Sequence, residues 1–211
     1  HEHKTRILRD CGEHPDLLAA LPEFNLRMAE TGAVLIHYRA RFVRQLAQYA
    51  AAAHAECSGG RERLEVSYQT VKTVEDPFGD QKLLVLRLLE HQREHHGAEL
   101  SSRQCLSGPH KDDLEVVLDG LSARSFASQG QTRTAALAMK LAAREIHREL
   151  MGEYPLLLLD DVLSELDPKR QEFVLNRISG GQTFITCCEE DRLSRLLGGR
   201  VFRVRAGAVV P

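Results

Sequence analysis

The chain has 211 residues, with 28 lysines and arginines against 30 aspartates and glutamates and a formal net charge of -2. This length can bury a sizeable core, and the balanced charge excludes the global basic excess typical of many nucleic-acid-binding proteins. Five cysteines without a C-x-x-C pair indicate neither a disulfide framework nor a structural zinc site. No apolar stretch approaches the length of a membrane span, so we expect a protein of the reducing cytoplasm with no membrane partner.

The first half of the chain predicts two helices around one short strand. Apolar residues at three- and four-residue intervals favour a long helix over residues 23–57, which the following Ser58-Gly59-Gly60 ends. Alternation of polar and apolar residues predicts a strand within 63–71, and a second helix is expected over 81–96. Because this half has many charges and few chemical motifs, we expect residues 1–106 to form a helical arm subdomain.

The second half alternates helices with apolar strands. The Asp119-Gly120 dipeptide predicts a β-hairpin with a type I′ turn. A helix over 131–150, the strand in PLLLLDD, a helix over 168–178, the strand QTFIT and a closing hairpin at Ala206-Gly207 follow. Apolar strands alternating with helices are typical of a parallel sheet covered on both faces. The fold class is therefore α/β, and residues 107–211 form the compact lobe.

Two acids follow the apolar strand. Asp160 and Asp161 come directly after residues 156–159, at the carboxyl end where open α/β sheets bind their ligands. Carboxylates hold Mg²⁺, and a second carboxylate can orient or deprotonate a water. We assign Asp160 to a metal and Asp161 to catalysis, against the alternative that Asp161 is only a loop carboxylate or a helix cap. Asp167 before Pro168 is in either case a helix cap.

A second motif, Ser128-Gln129-Gly130-Gln131, opens the helix over 131–150. It provides a hydroxyl, a flexible glycine and free backbone N–H groups at the positive end of a helix. Such a helix start can bind an anion, although an ordinary serine cap has the same pattern.

The order of these motifs carries a family resemblance. ASQGQ at 127–131 resembles the signature motif of ABC-type ATPases, LLLLDD resembles their Walker B strand, and SELD from Ser164 to Asp167 resembles their D-loop. Together with GPHKDDL at 108–114, the chain is similar along essentially its whole length to the SMC-like members of this family that act in bacterial DNA recombination and repair.

The resemblance implies an ABC-ATPase-like head lobe that dimerises on ATP. It implies that Ser128, Gln129, Gly130 and Gln131 of one copy meet the nucleotide of the other copy. Ser164 and Asp167 would then belong to the nucleotide site as D-loop residues, Asp160 would hold Mg²⁺, and Asp161 would act on water. The implied cofactors are ATP and Mg²⁺, and the implied partners are DNA at gaps or single-stranded/double-stranded junctions, a second copy, and other recombination mediator proteins.

The sequence also departs from the family pattern. No G-x-x-x-x-G-K-[ST] occurs in the 211 residues, so the phosphate-cradling Walker A lobe is not in this sequence. We expect a carboxy-terminal portion of a longer protein that is inactive alone and needs the missing lobe for ATP and Mg²⁺. Thr186-Cys187-Cys188 stands where many members have a histidine, and Asp161 replaces the commoner glutamate. Both differences predict slow ATP hydrolysis by the full-length dimer.

Two alternatives remain open at this point. One is a docking module for repair partners that does not hydrolyse ATP. The other is a zinc hydrolase, because His91, Glu94 and His95 match H-x-x-E-H, although their polar surroundings favour a solvated helix face. The role of GPHKDD is undecided, and solvated surfaces are expected for the basic residues Arg39, Arg41, Arg44, Lys140, Arg144 and Arg148.

Overall fold

The computed structural model describes residues 1–188 and 199–210, excluding the side chains of Ser164 and Glu165. The α-helices of this range are α1 (Glu2–Asp10), α2 (Leu21–Ser58), α3 (Gln81–Ser102), α4 (Ala123–Phe126), α5 (Gln129–Met151) and α6 (Pro168–Arg177). Its strands are β1 (Leu64–Gln69), β2 (Asp113–Leu118), β3 (Leu121–Ser122), β4 (Leu157–Asp160), β5 (Thr183–Thr186), β6 (Arg203–Arg205) and β7 (Ala208–Val210). Short 3₁₀ helices lie at Pro15–Ala20, Pro109–Lys111 and Val162–Glu165. Within these ranges, no helix combines the length and the hydropathy needed to cross a bilayer.

The structure confirms the long helices that the sequence predicts, but α3 runs further than expected. The sequence predicted its end at residue 96, and the helix continues to Ser102. Glu99 belongs to this added stretch and faces inward, with its Oε2 2.7 Å from Lys4 Nζ and both side chains 1% exposed. The ion pair with Lys4 thus allows Glu99 to be buried, although local sequence patterning places this residue at the surface.

The helix α1 is not among the predicted elements. Its Ile7 and Leu8 pack with Leu21 and Cys105 in a buried cluster. Nine residues are too few for helical periodicity to stand out in the sequence, since an isolated helix of this length is marginal and depends on packing.

The chain divides into two compact units. Unit 1 comprises His1–Gln48 and Glu65–Val117, and unit 2 comprises Tyr49–Leu64 and Leu118–Pro211. These units are defined by packing, whereas the predicted boundary at residue 106 separates an arm from an ATPase lobe by function. That boundary therefore stays a prediction.

The core of unit 1 is built on small residues. Ala29 and Ala33 of α2 are fully buried and, with Ile36, pack against Leu84 and Leu88 of α3. Because alanine side chains are short, they allow the two helices to approach closely along this stripe.

The core of unit 2 lies against a parallel strand pair. β4 and β5 run parallel, which confirms the predicted parallel sheet. Leu159 is 5% exposed and packs with Leu137 and Val174, whereas Leu158 is 67% and Phe184 is 50% exposed. Successive strand residues point to opposite faces, so the described residues cover one face of this pair rather than the two faces expected from its apolar sequence.

Both predicted hairpins are confirmed. β1, β2 and β3 are neighbours in that order, and Asp119 (φ 50°) and Gly120 (φ 82°) form the turn between β2 and β3 with the two positive φ angles that a type I′ turn needs. β6 and β7 pair antiparallel across a turn at Ala206 (φ 49°) and Gly207 (φ 79°).

Candidate functional site

The carboxyl ends of β4 and β5 hold two exposed acids beside a threonine. The parallel register pairs Asp160 with Thr186, so both strands end at the same edge of the sheet. The Thr186 hydroxyl donates to Asp160 Oδ1 at 2.5 Å and accepts from the backbone N–H of Asp161 at 3.0 Å. That N–H also donates to the Thr186 carbonyl at 3.2 Å. Thr186, whose only signal in the sequence is its place after the last core strand, therefore fixes the positions of both predicted acids.

Asp161 has a backbone conformation that few side chains adopt. Its φ of 52° lies in the left-handed region, which costs on the order of 1 kcal/mol for a residue other than glycine and is best tolerated by Asn and Asp. Such strain persists only where the surrounding contacts hold it, and it concentrates at functional sites.

Contacts with the core of unit 2 and with Gln171 anchor the segment between Asp161 and Asp167. Leu163 (1% exposed) and Leu166 (8% exposed) insert into the core of unit 2. The Gln171 side-chain amide donates to the carbonyls of Leu163 at 2.7 Å and Leu166 at 3.0 Å. The predicted role of Ser164 depends on a side chain that lies outside the described residues, and its backbone belongs to the 3₁₀ helix of this segment.

Asp167 caps α6, as the sequence predicts. Its Oδ1 accepts from the backbone N–H groups of Lys169 and Arg170, each at 3.1 Å, and Pro168 occupies the first turn. Its other oxygen is 3.4 Å from the Arg170 guanidinium. The residue remains exposed, so capping leaves one side of the carboxylate open to solvent.

The Ser128 motif forms a rigid and exposed helix start. Ser128 Oγ accepts from Gln131 N at 3.3 Å, and Gln131 Oε1 accepts from Ser128 N at 3.0 Å, which together make a capping box. Ser128 and Gln129 are exposed, and Gly130 is half-buried. Both ends of the Gln131 amide are engaged, since its Nε2 donates to Glu62 Oε1 at 3.1 Å. Gln131 thus holds the turn in place.

A network that sequence reasoning missed supports this helix start within unit 2. Glu62 accepts from Gln131 through Oε1, and its Oε2 lies 3.1 Å from Nε2 of the fully buried His54 on α2. The backbone N–H of Glu62 donates to Ser58 Oγ at 3.4 Å. No local sequence pattern predicts this role, because Glu62 lies two residues after a glycine pair in a polar loop.

The two predicted motifs meet through Arg170. A Cβ built on Gly130 would lie 3.7 Å from Arg170 Nη1, the same nitrogen that pairs with Asp167. In the described part of the chain, no hydrogen bond joins Ser128 to Asp160. The fold therefore brings the helix start beside Asp167, whereas the acids after β4 are held separately by Thr186.

The GPHKDD segment, whose role the sequence left open, is organised around Asp112 in unit 1. The Asp112 side chain is 3% exposed and accepts from Arg39 Nη1 at 2.9 Å, Thr70 Oγ1 at 2.7 Å and the Tyr68 hydroxyl. Burial, followed by the hydrogen bond to Asp112, raises the pKa of Tyr68. Arg39 also donates to the Pro109 carbonyl at 2.5 Å, so its side chain, exposed as expected, also braces this segment.

Arg144 likewise corrects the sequence expectation of a solvated side chain. It is 3% exposed, and its guanidinium donates to the carbonyls of Arg177, Ile178 and Ser179 at 3.1–3.2 Å. The helical period places it beside the core face of α5, and the carbonyl groups at the end of α6 supply the partners that make its burial tolerable.

The zinc-hydrolase alternative is not supported by the geometry of its residues. His91 is 5% exposed, and its Nδ1 lies 2.7 Å from Ser107 Oγ. The His91 and His95 rings stack at 3.9 Å between centroids, and His95 Nδ1 lies 2.9 Å from the His91 carbonyl. Stacked rings do not direct their nitrogens at one ion, and burial lowers the pKa of His91. The tertiary position of α3 thus makes this motif structural.

No protein-family model matches the chain. Among curated proteins, it is 45% identical over 192 residues to the DNA replication and repair protein RecF of Symbiobacterium thermophilum, a match that covers 89% of this chain and 51% of that protein. It is 36% identical over 208 residues to the protein of the same name from Agathobacter rectalis, covering 98% of this chain and 54% of the relative. The chain thus spans about half the length of the curated relatives it matches.

Solved structures agree with these relatives. The chain superposes on the recombination mediator protein RecF-ATPrS of the RecFOR pathway with a TM-score of 0.83 and 30% identity, covering 99% of this chain and 54% of that one. The corresponding RecF-ATP structure gives a TM-score of 0.80 at 30% identity, with 99% and 55% covered.

Proposed function

We propose that this chain, which is similar along nearly its whole length to proteins named DNA replication and repair protein RecF, contributes one side of a composite ATP site formed when two RecF-like heads meet. Ser128 and Gly130 of one copy contact the γ-phosphate of the ATP held by the other copy. The nucleotide then acts as the link that holds the pair together.

The observation that carries this proposal is the exposed, rigid start of α5. The capping box uses the N–H of Gln131, which leaves the N–H groups of Gln129 and Gly130 without an intrahelical acceptor. With the Ser128 hydroxyl proton, they form a set of donors at the positive end of a helix, which suits a phosphate oxygen. A Cβ at Gly130 would meet only an ordinary contact at 3.7 Å, so packing within the chain does not require glycine there. In this proposal the glycine instead lets the phosphate of the other copy come close to the backbone.

Asp160 and Asp161 supply the acids of this proposal. One oxygen of Asp160 accepts from Thr186 while the residue stays exposed, so the carboxylate can also serve an incoming ion. An exposed carboxylate at a strand end fits Mg²⁺, which keeps several waters and takes few protein ligands, and Mg²⁺ would neutralise phosphate charge. Asp161 orients or deprotonates the attacking water, and Thr186 acts as a positioning residue for both.

The remaining residues complete the surface that faces the nucleotide. Gln129 is exposed beside Ser128, and Gln131 keeps the turn in shape through Ser128 and Glu62. Asp167 acts as the D-loop acid next to Gly130, with Ser164 in the same loop. Hydrolysis is slow in this proposal, because Asp161 is one methylene shorter than glutamate and Thr186 precedes Cys187 where other ABC-type proteins have a histidine.

DNA binding follows from pairing in this proposal. Arg39 pairs with Asp112 and Arg144 is buried, whereas Arg41 and Lys140 are exposed and can reach phosphates. A few such contacts give modest, salt-dependent affinity, and two copies double them. The proposed targets are gaps and single-stranded/double-stranded junctions, together with other recombination mediator proteins.

The test is a substitution at the phosphate-facing serine. In a chimera where this chain replaces the matching half of the Symbiobacterium thermophilum relative, ATP should drive dimerisation in sedimentation experiments. Ser128→Arg should weaken the ATP-dependent dimer by roughly tenfold or more, about 1.4 kcal/mol, because a long cation fills the phosphate position. Ser101→Arg, at an exposed serine on α3, is the matched control and should leave dimerisation unchanged.

Two outcomes would count against the proposal. One is a Ser128→Arg chimera that dimerises with ATP as well as its parent does. The other concerns a chimera that does not pair at all, in which case the same arginine is placed at the corresponding serine of the intact relative. An ATP-dependent dimer of the relative that survives this substitution would contradict the proposal.

A further inference from the structure

Three side chains of metal-ligand type meet in unit 1, and none of them belongs to the proposed ATP site. His1 precedes α1, Cys105 follows α3, and His110 lies in the 3₁₀ helix Pro109–Lys111. One ligand atom from each lies within 4.8 Å of the others. In the part of the chain that the structure describes, this is the only such group of histidine, cysteine or acidic side chains.

A hydrogen bond and a ring contact link the three residues. His110 Nε2 lies 3.0 Å from the Cys105 carbonyl, and the rings of His1 and His110 are 4.2 Å apart between centroids. A histidine that donates one ring N–H to a backbone carbonyl keeps a lone pair on its other nitrogen, which is the usual arrangement of a metal-binding imidazole.

Buried contacts hold the sulfur-bearing segment against α1. Cys105 is 4% exposed and packs in the same cluster as Ile7 and Leu8 of α1. One carboxylate oxygen of Glu99 pairs with Lys4 of α1, and the other accepts from Leu106 N at 2.8 Å. The Cys105 side is thus rigid, His110 is held by the Cys105 carbonyl, and the exposed His1 can change its rotamer.

The donor set selects the kind of ion. One thiolate and two imidazoles are borderline-soft ligands, which suit Zn²⁺ and Co²⁺ and do not suit Mg²⁺ or Ca²⁺. In a tetrahedral zinc site with bonds of about 2.0–2.3 Å, ligand atoms are roughly 3.5 Å apart. Rotation of the exposed His1, with small shifts of His110 that keep its bond to the Cys105 carbonyl, closes the present spacing of up to 4.8 Å.

We propose that His1, Cys105 and His110 bind one zinc-class divalent ion, with water as the fourth ligand. The ion ties the start of α1 to the segment that leads into β2. That segment contains Pro109 and Asp112, the residues that Arg39 braces, so the ion also stiffens the loop of the GPHKDD motif.

The experiment uses the whole chain, stripped of metal and titrated with Co²⁺ and then with Zn²⁺. We expect one ion per chain and a thiolate-to-cobalt charge-transfer absorption that zinc abolishes. His110→Gln keeps a donor for the Cys105 carbonyl and should lower the affinity by about tenfold or more. Cys105→Ser should remove the charge-transfer absorption. His14→Gln and Cys57→Ser are the matched controls and should bind as the parent chain does.

A second readout keeps the proposal falsifiable if Cys105→Ser fails to fold. Bound Zn²⁺ should raise the thermal midpoint of the parent chain through linkage, and this rise should vanish in His110→Gln, a substitution at an exposed site. The proposal fails if His110→Gln binds Zn²⁺ as tightly as the parent. It also fails if the charge-transfer absorption survives Cys105→Ser and is lost when Cys187 and Cys188 are replaced.

Discussion

Asp112 concentrates three donors on one buried carboxylate. Tyr68, Thr70 and Arg39 all donate to it, and only 3% of its side chain is exposed. A carboxylate with several donors is well satisfied, but each donor loses its partner when the acid is removed. The hydrogen bond to Asp112 and the burial of Tyr68 also tie the ionisation of this tyrosine to folding.

We expect Asp112→Ala to lower the free energy of unfolding by about 2–4 kcal/mol, because it leaves partly buried donors without an acceptor. Tyr68→Phe should cost about 1 kcal/mol. Urea unfolding followed by circular dichroism measures both, with Tyr38→Phe, 67% exposed, as the control. A cost for Asp112→Ala no larger than for the Tyr38 control would contradict the role assigned to Asp112.

The pH dependence of Tyr68 follows from the same contacts. Its pKa is raised in the folded chain, whereas in the unfolded chain it ionises near 10.0. The folded state therefore keeps its proton longer, so the stabilisation is complete below about pH 10 and is lost as the pH rises toward the folded value. The free energy of unfolding of each protein is measured with urea at about pH 8 and about pH 11. Between these two pH values, we expect it to fall less in Tyr68→Phe than in the parent chain. An equal loss in both proteins would be the contrary result.

At the scale of elements, Arg144 joins α5 to the end of α6. Its guanidinium serves three carbonyl groups at that end and stacks on the Tyr154 ring at 3.7 Å. A Cβ on Gly181 would lie 2.7 Å from Tyr154 Cβ and 3.0 Å from Arg144 Nη2, so glycine there permits the close approach. The end of α6, which leads into β5, is thus held by a cation at the negative end of a helix dipole.

Replacing Arg144 with lysine tests this contact. Lysine keeps the charge but cannot reproduce the planar fork, so we expect Arg144→Lys to lower the free energy of unfolding by about 2 kcal/mol. Arg148→Lys, one turn later on α5 with 45% of the side chain exposed, should change it by less than about 0.5 kcal/mol. Denaturant titration of both variants measures the difference, and equal effects would refute the capping role.

At the scale of the whole molecule, the sheet edge and the helix start are separate halves of the proposed site. Thr186 organises the acids, and Glu62 with Gln131 organises the Ser128 turn. Neither half contains a G-x-x-x-x-G-K-[ST] loop, and the chain covers about half of its relatives. The ATP chemistry of this proposal therefore belongs to an assembly larger than one copy of these 211 residues.

The isolated chain should consequently show no ATP hydrolysis above that of its Asp161→Asn variant. Phosphate release measured with excess ATP and Mg²⁺ checks this, and turnover that depends on Asp161 would contradict it. In the chimera, Asp161→Asn should lower turnover by about a hundredfold, the scale of a lost general base. An unchanged chimera would instead favour the docking module without hydrolysis.

The sequence by itself determined the α/β class, the long helices, both hairpins, the existence of the strand before Asp161 and the cap at Asp167. These features depend on local rules: helical spacing, turn residues with positive φ, and a cap before proline. The resemblance to ABC-type ATPases also came from local motifs, since each motif is a short run in a fixed order.

Tertiary structure decided what each polar residue does. Arg144 has surface-like sequence surroundings but is a buried brace, and the exposed Arg39 pairs with the buried Asp112. His91 is buried against Ser107, and Thr186 organises the acids after β4. Their partners lie tens of residues away along the chain. Periodicity reports only which face of an element is apolar, and the groups that meet that face are set by packing between distant segments, which no local pattern encodes.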